Sequence, residues 1–401
     1  MQITIEPSAL RGSIKAIPSK SAAHRLLICA ALADRETSIF CPALSKDIEA
    51  TAQCLQALGA GIEYSEGVFH VRPVKKVNQN ALLDCGESGS TLRFLLPVVC
   101  ALGGGARIKM HGRLPQRPLS PLWEELCAHG AELSRPGEDI ISVAGQLRAG
   151  DYSIRADISS QYISGLLFAL PVLRGESSLM LEGNIESAGY IHMTRNAQSE
   201  FGLDLPFDGR RFDVPAEAAY VSPGNAGVEG DWSNAAFWLA ADALSGGTVE
   251  VSGLRADSLQ GDKAVVELIR SIRAGNAVID VKDVPDLVPI LAVVAAVSPG
   301  VTEFVNGARL RIKESDRISS VCRMLRSLGA ECQERAEGLA VTGGRLSGGT
   351  VDGENDHRIV MSAAVAAIAC EGPVTILGSQ AADKSYPAFF EDYKKLGGKI
   401  N

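Results

Sequence analysis

The chain has no apolar run of the ~18 residues that a bilayer crossing needs, no C-x-x-C pair among its nine cysteines, and no excess of positive charge. It carries 39 Lys and Arg against 47 Asp and Glu, a formal net charge of −8. Each absence removes a class of protein. Without a spanning run, and with Glu6, Arg11, Lys15 and Lys20 in the first twenty residues, the expectation is a soluble, unexported, cytoplasmic protein. The cysteines (29, 41, 54, 85, 100, 127, 322, 332 and 370) are scattered, several inside apolar stretches, and read as reduced core thiols. The negative balance argues against a nucleic-acid surface, which needs a broad basic stripe. No Cys/His/Asp cluster has zinc spacing and no G-x-x-x-x-G-K-[ST] occurs, so neither a metal nor a nucleotide cofactor is expected.

What is present is length, apolar material and a repeat. At 401 residues the chain exceeds what one core normally serves, and 46% hydrophobic residues can fill two. One pattern recurs six times: a polar corner, an apolar helix rich in Ala, Leu and Val, a turn, and a short strand ending near glycine. The copies fall at 24–39, 90–110, 159–181, 233–251, 286–305 and 356–376. Their terminal glycines, Gly112, Gly183, Gly253, Gly307 and Gly378, lie 71, 70, 54 and 71 residues apart, so the fifth copy is short by about one element. Second helices at 47–59, 119–130, 262–272 and 315–329 show i, i+3, i+4 spacing and end near glycine. The period predicts a β-α-β-α-β-β unit, three to a domain and two domains.

The polar corners carry the chemistry. They include Pro18-Ser19-Lys20-Ser21 with Arg25, Gly86-Glu87-Ser88-Gly89-Ser90-Thr91, and Leu114-Pro115-Gln116-Arg117-Pro118. Further along come Ser159-Ser160-Gln161-Tyr162, then Ser187 with Tyr190, and Val284-Pro285-Asp286. Lys313-Glu314-Ser315-Asp316-Arg317, Asn355-Asp356-His357-Arg358 and Lys384-Ser385-Tyr386-Pro387 complete the set. A cation at a helix start joins the free N–H groups and the positive dipole end there, a combination that favours anions. Each residue also has a plainer reading. Ser19, Ser21, Ser159 and Asp286 can be helix caps, Pro118 can merely open a helix, and a lone His357 beside an apolar helix is more often structural.

Taken together these blocks resemble the 5-enolpyruvylshikimate-3-phosphate synthase family of enolpyruvyl transferases, from the first strand to about residue 390. The resemblance implies an α/β (α+β) fold of two domains, each with three such units around a pseudo-threefold axis, helices inside and sheets outside. It places residues 13–228 in the first domain, on the shikimate 3-phosphate side. Residues 1–12 and 229–401 form the second, on the phosphoenolpyruvate side, with the active site in the cleft between. It implies transfer of the enolpyruvyl group of phosphoenolpyruvate to the 5-hydroxyl of shikimate 3-phosphate, by a monomer that needs no cofactor.

By the same resemblance Lys20, Asp286 and Glu314 are catalytic. Lys20, Ser21, Arg25, Ser159, Ser160, Gln161, Ser187, Tyr190, Asp286 and Lys313 bind shikimate 3-phosphate, and Lys20, Gly89, Arg117, Gln161, Arg317, Arg358 and Lys384 bind phosphoenolpyruvate. Glu314 exchanges a proton with the methylene carbon, while either Asp286 or Lys20 serves the 5-hydroxyl. The substrates together carry about −5 to −6 at neutral pH, which these cations can balance. The chain departs from the family where Glu87-Ser88 replaces a common Asn-Ala, which bears on affinity for compact anions such as glyphosate, and where Arg309 replaces a common asparagine. The rival with the same chemistry, UDP-N-acetylglucosamine enolpyruvyl transferase, carries a reactive cysteine in the loop that here runs from Arg113 to Arg117 without one. A cyclase of RNA 3′-phosphates would need a basic surface, and a non-catalytic repeat scaffold would leave the polar corners unexplained.

Overall fold

A computed structural model describes residues 1–173 and 175–401. The chain forms two compact units, Pro18–Val228 on the one hand and Met1–Ile17 with Glu229–Asn401 on the other.

Among the described residues the unit Pro18–Val228 holds six α-helices: α1 (Lys20–Leu32), α2 (Lys46–Leu58), α3 (Gly89–Leu102), α4 (Leu122–Ala128), α5 (Ser160–Ala169) and α6 (Ala188–Glu200). In α3 twelve of 14 residues are buried and in α5 nine of ten, so these helices have no solvent face. A helix apolar all round can only be an interior one, and α3 accordingly packs on both α1 and α5. By contrast, α2 buries one stripe through Ile48, Ala52, Leu55 and Leu58. Ser45 caps its start, and it stops at Gly59 with φ 116°. A Cβ at Gly59 would stand 2.5 Å from the Lys76 carbonyl oxygen, so conformation and space both exclude a side chain there.

Three sheets flank these helices. Two share one order, a parallel pair followed by an antiparallel hairpin: Asn225–Gly227, Thr37–Phe40, Val68–Arg72, Gly61–Ser65, and Ala81–Asp84, Ala106–Lys109, Ile140–Gly145, Ala131–Gly137. The third has Asp151–Arg155 parallel to Ser177–Glu182, with Arg211–Val214 antiparallel beyond it. Consecutive parallel strands need a crossover, which α3 supplies between Ala81–Asp84 and Ala106–Lys109 and α5 between Asp151–Arg155 and Ser177–Glu182.

The other unit repeats the plan with α7 (Trp232–Ser245), α8 (Val265–Ala274), α9 (Val288–Ala296), α10 (Arg317–Ser327), α11 (His357–Ala366) and α12 (Phe389–Lys395). Every residue of α9 and α11 is buried, and α7, α9 and α11 pack on one another. Its sheets are Val278–Asp280, Val301–Val305, Gly338–Thr342, Glu331–Arg335, then Gly349–Asp352, Val374–Leu377, Gln2–Glu6, Lys399–Ile400, and a two-stranded pair, Gly12–Lys15 with Val249–Ser252. That pair explains the short interval in the glycine spacing. After α8 the chain enters Val278–Asp280 directly, so the missing element is a hairpin.

One boundary differs from the expectation. The resemblance puts residues 13–17 in the first domain, but Gly12–Lys15 pairs in parallel with Val249–Ser252, with Gly12 opposite Val249 and Lys15 opposite Ser252. The backbone bonds of this strand tie it to the unit of residues 229–401, and the division falls after Ile17.

Candidate active site

In the unit Pro18–Val228 the expected residues gather at the starts of α1, α3, α5 and α6. Ser19 caps α1 by accepting from the Ala22 N–H, and Lys20, the first helical residue, pairs with Asp47 at 2.9 Å. One turn on, Arg25 is 2% exposed. Its guanidinium donates to Thr194 Oγ1 (2.9 Å), the Ser21 carbonyl (2.6 Å) and the Tyr190 carbonyl (2.9 Å), and lies over the ring of Phe94 at 5.0 Å. All these partners are neutral. Burial therefore pushes the Arg25 pKa down to about 10, and an anion brought against it would relieve that cost.

At α3, Ser88 caps and Gly89 opens the helix. A Cβ on Gly89 would stand 2.6 Å from Arg117 Nη1 and 3.1 Å from Arg93 Nη1, so glycine is what lets two guanidiniums lie against this helix start. Arg93 donates to Gln161 Oε1 (2.8 Å) and the Pro118 carbonyl (3.1 Å), and the Gln161 amide donates to Ser90 Oγ (2.9 Å). Ser159 caps α5 and Ser160 follows it, 6% exposed. Ser187 precedes α6 in the left-handed region, φ 55°, and Tyr190 lends its carbonyl to Arg25.

The sequence pattern does not single out Asp47, which reads as a helix-start residue, or Arg93, which reads as the tail of a glycine-rich turn. Nor does it show a buried line of polar groups behind Lys20. His24 Nδ1 meets Thr51 Oγ1 at 2.6 Å, which meets Thr91 Oγ1 at 2.7 Å, which donates to Ser88 Oγ at 2.8 Å. Burial, with Lys20 and Arg25 adding to it, drives the His24 pKa well below its ordinary value, so this ring is neutral.

In the other unit the expected residues form a denser network. Arg317, 1% exposed, is surrounded by three carboxylates: Nε to Asp356 at 2.9 Å, Nη1 to Asp286 at 2.6 Å and Nη2 to Glu314 at 2.7 Å. Asp286 lies in the turn Pro285–Leu287 and faces Arg317, Lys313 (3.5 Å) and Arg358 (3.2 Å). Arg358 also donates to the Asp286 carbonyl (3.0 Å) and to Ser233 Oγ (2.7 Å), and Lys384 to the Asn355 carbonyl (2.6 Å).

Asp316 caps α10 through the Ser319 N–H, and Asp356 caps α11 through the Arg358 N–H. Burial lowers the Lys313 pKa to about 8, against the pull of Asp286. For Asp356 burial opposes ionisation, but Arg317 prevails and holds the carboxyl below its ordinary range. Two residues near this network read in the sequence only as helix-start residues, Ser233 and Asp262. The latter is 4% exposed, and burial followed by repulsion from Asp286 lifts its pKa to about 6.

Among the described residues no group of three His, Cys, Asp or Glu side chains is gathered that could hold a metal ion, and no helix is long and apolar enough to cross a membrane.

The family model of EPSP synthase (3-phosphoshikimate 1-carboxyvinyltransferase) matches residues 5–393. The 3-phosphoshikimate 1-carboxyvinyltransferase of Clostridium botulinum (strain Eklund 17B / Type B) is 39% identical over 99% of this chain and 98% of its own length. That of Clostridium acetobutylicum is 39% identical over 100% and 98%. A solved structure of EPSP synthase from Acinetobacter baumannii shares the fold with a TM-score of 0.80, at 24% identity, covering 100% of this chain and 99% of that one. The family model and these relatives place the chain among the carboxyvinyl transferases. Within that class, the chain belongs to the EPSP synthase family.

Proposed function

We propose that this chain transfers the enolpyruvyl group of phosphoenolpyruvate to the 5-hydroxyl of shikimate 3-phosphate, releasing phosphate, as a step of aromatic amino acid biosynthesis. The observation that carries the reading is the family match over residues 5–393. The hydroxyl oxygen bonds to C2 of phosphoenolpyruvate while C3 takes a proton, giving a tetrahedral adduct. That adduct loses a proton from C3 and the phosphate from C2, so the C–O bond breaks and the P–O bond does not.

In this reading Glu314 gives and retrieves the proton at C3, and Asp286 or Lys20 receives the one from the 5-hydroxyl. Shikimate 3-phosphate is held by Lys20, Ser21, Arg25, Ser159, Ser160, Gln161, Ser187, Tyr190, Asp286 and Lys313. Phosphoenolpyruvate is held by Lys20, Gly89, Arg117, Gln161, Arg317, Arg358 and Lys384.

Charge supports the shikimate 3-phosphate half of this reading: Arg25 is buried with only neutral partners, so an anion brought against it is favoured. Preorganised cations lower the barrier by meeting charge as it develops. The enzyme acts as a cytoplasmic monomer. Incubation of purified protein with both substrates should release phosphate only when both are present. Absence of release above the single-substrate blanks overturns the reading.

A further inference from the structure

Cys322 and Cys332 are both buried and unlinked, yet the Cys332 thiol donates to Cys322 Sγ with the two sulfurs 3.0 Å apart. The fold brings them together across a tight connection. Cys322 lies in the second turn of α10, and Cys332 in the strand Glu331–Arg335, opposite Val341 of Gly338–Thr342. Between them the end of α10 is closed by the Ala330 N–H, which donates to the Leu325 carbonyl (2.9 Å), and by the Gly329 N–H, which donates to the Arg326 carbonyl (3.0 Å). Arg326, one turn beyond Cys322, donates through Nε and Nη2 to the Cys332 carbonyl at 2.9 and 2.7 Å. That contact ties the strand to the helix and keeps a guanidinium near the sulfurs.

A disulfide needs its sulfurs about 2.05 Å apart, so this pair has roughly 1 Å to close. The helix and the strand already pack on one another, and side-chain rotation can supply that distance. The hydrogen bond from Cys332 holds the Cys322 pKa below its ordinary value against the effect of burial, and Arg326 adds to it. The thiolate is the form that reacts. Glu331–Arg335 is the edge strand of its sheet, where local opening admits an oxidant little larger than water.

We propose that Cys322 and Cys332 are a peroxide-reactive dithiol that closes to an intramolecular disulfide and so protects α10 from irreversible oxidation. The Cys322 sulfur attacks hydrogen peroxide, the O–O bond breaks, and with the proton of that thiol the products are a sulfenic acid and water. The Cys332 sulfur then attacks the Cys322 sulfur, the S–O bond breaks, and the second oxygen leaves as water with the Cys332 proton. Two electrons and two protons pass from the thiols to the peroxide, and an external thiol reverses the cross-link by exchange. Without Cys332 the sulfenic acid goes on to sulfinic acid, an anion placed inside the packing of the helix that carries Arg317. The inference does not depend on the reaction the chain catalyses.

The test is titration of the reduced protein with hydrogen peroxide, followed by tryptic digestion without reductant. The peptides 318–323 and 327–335, each with one cysteine, should appear joined with the loss of two hydrogens and separate again in dithiothreitol. In wild type this cross-link should precede oxidation of the other buried cysteines, and the melting temperature should not fall. In Cys332→Ser, whose hydroxyl can still donate to Cys322, peroxide should instead carry Cys322 to the sulfinic acid and lower the melting temperature. Absence of the cross-link at doses that oxidise other buried cysteines, or a cross-link joining other cysteines in its place, overturns the proposal. So does equal sulfinic acid at Cys322 in wild type and in Cys332→Ser. If Cys332→Ser does not fold, the wild-type peptide map decides alone.

Discussion

Arg317 and Asp356 form an ion pair that is closed to water on both sides, Nε to Oδ2 at 2.9 Å with side chains 1% and 0% exposed. The same carboxylate accepts from Ser315 Oγ at 3.0 Å and caps α11, so the start of α10 and the start of α11 are held by one residue. Removing Asp356 leaves the Arg317 Nε–H and the Ser315 hydroxyl buried without their acceptor.

Asp356→Ala should therefore cost about 3 kcal/mol or more, from the buried Arg317 Nε–H and Ser315 hydroxyl left without their acceptor and from the lost cap, although Asp286 and Glu314 still pair with the other guanidinium nitrogens, measured by urea unfolding. The pH dependence has a definite sign. The folded-state pKa of Asp356 is depressed, so its contribution is complete above the unfolded value of about 3.9 and is lost as pH falls through the folded one. The gap between wild type and variant should narrow only in acid, and a gap unchanged from pH 7 down to pH 3 would contradict this account.

Gly89→Ala tests the packing at the start of α3. The new methyl would collide with Arg117 Nη1, the far end of a flexible side chain, and come close to Arg93 Nη1. The fold should tolerate it while the guanidinium gives way. The melting temperature should stay within a few degrees and the KM for phosphoenolpyruvate rise about tenfold, since a charge-assisted contact displaced by an ångström loses much of its ~1.5–3 kcal/mol. A normal KM would take both Gly89 and Arg117 out of the phosphoenolpyruvate site.

Much of this arrangement is legible in the chain, and the parts that are not share a cause. The inner helices announce themselves because stretches such as α9 have no polar face, and the polar corners stand out because they punctuate those stretches. The short interval before Gly307 is visible too, but only the sheet order shows that a hairpin is what is missing. Strand Gly12–Lys15 is misplaced by sequence alone because its partner lies more than 230 residues away and four residues carry no register. Asp47, Ser233 and Asp262 are hidden for another reason. Each stands near a helix start, where Ser and Asp are expected as caps, and the contacts of Asp47 with Lys20 and of Ser233 with Arg358 exist only through space.

Glu314→Gln separates chemistry from binding. Gln keeps the size and can still meet Arg317, now 2.7 Å from the carboxylate, but it cannot exchange a proton with carbon. Turnover should fall ~10²-fold or more, with substrate binding by calorimetry within a few-fold and exchange of the methylene protons with solvent deuterium abolished. If Glu314 only orients Arg317, the KM for phosphoenolpyruvate will rise instead, with kcat and exchange near normal.

Asp262 should affect stability through its burial. Its folded-state pKa is raised to about 6 by burial and by Asp286, against an unfolded value of about 3.9. A raised acid favours the folded state while protonated, so its contribution is fully present below about pH 4 and is lost as pH rises through 6. Above pH 7 the ionised group burdens the fold by at most about 3 kcal/mol, two pH units at 1.36 kcal/mol each. Asp262→Asn, which is never charged, should melt higher than wild type at pH 8, and the difference should shrink to nothing by pH 4. A variant that is less stable at pH 8 would mean that Asp262 is held by bonds strong enough to offset its burial.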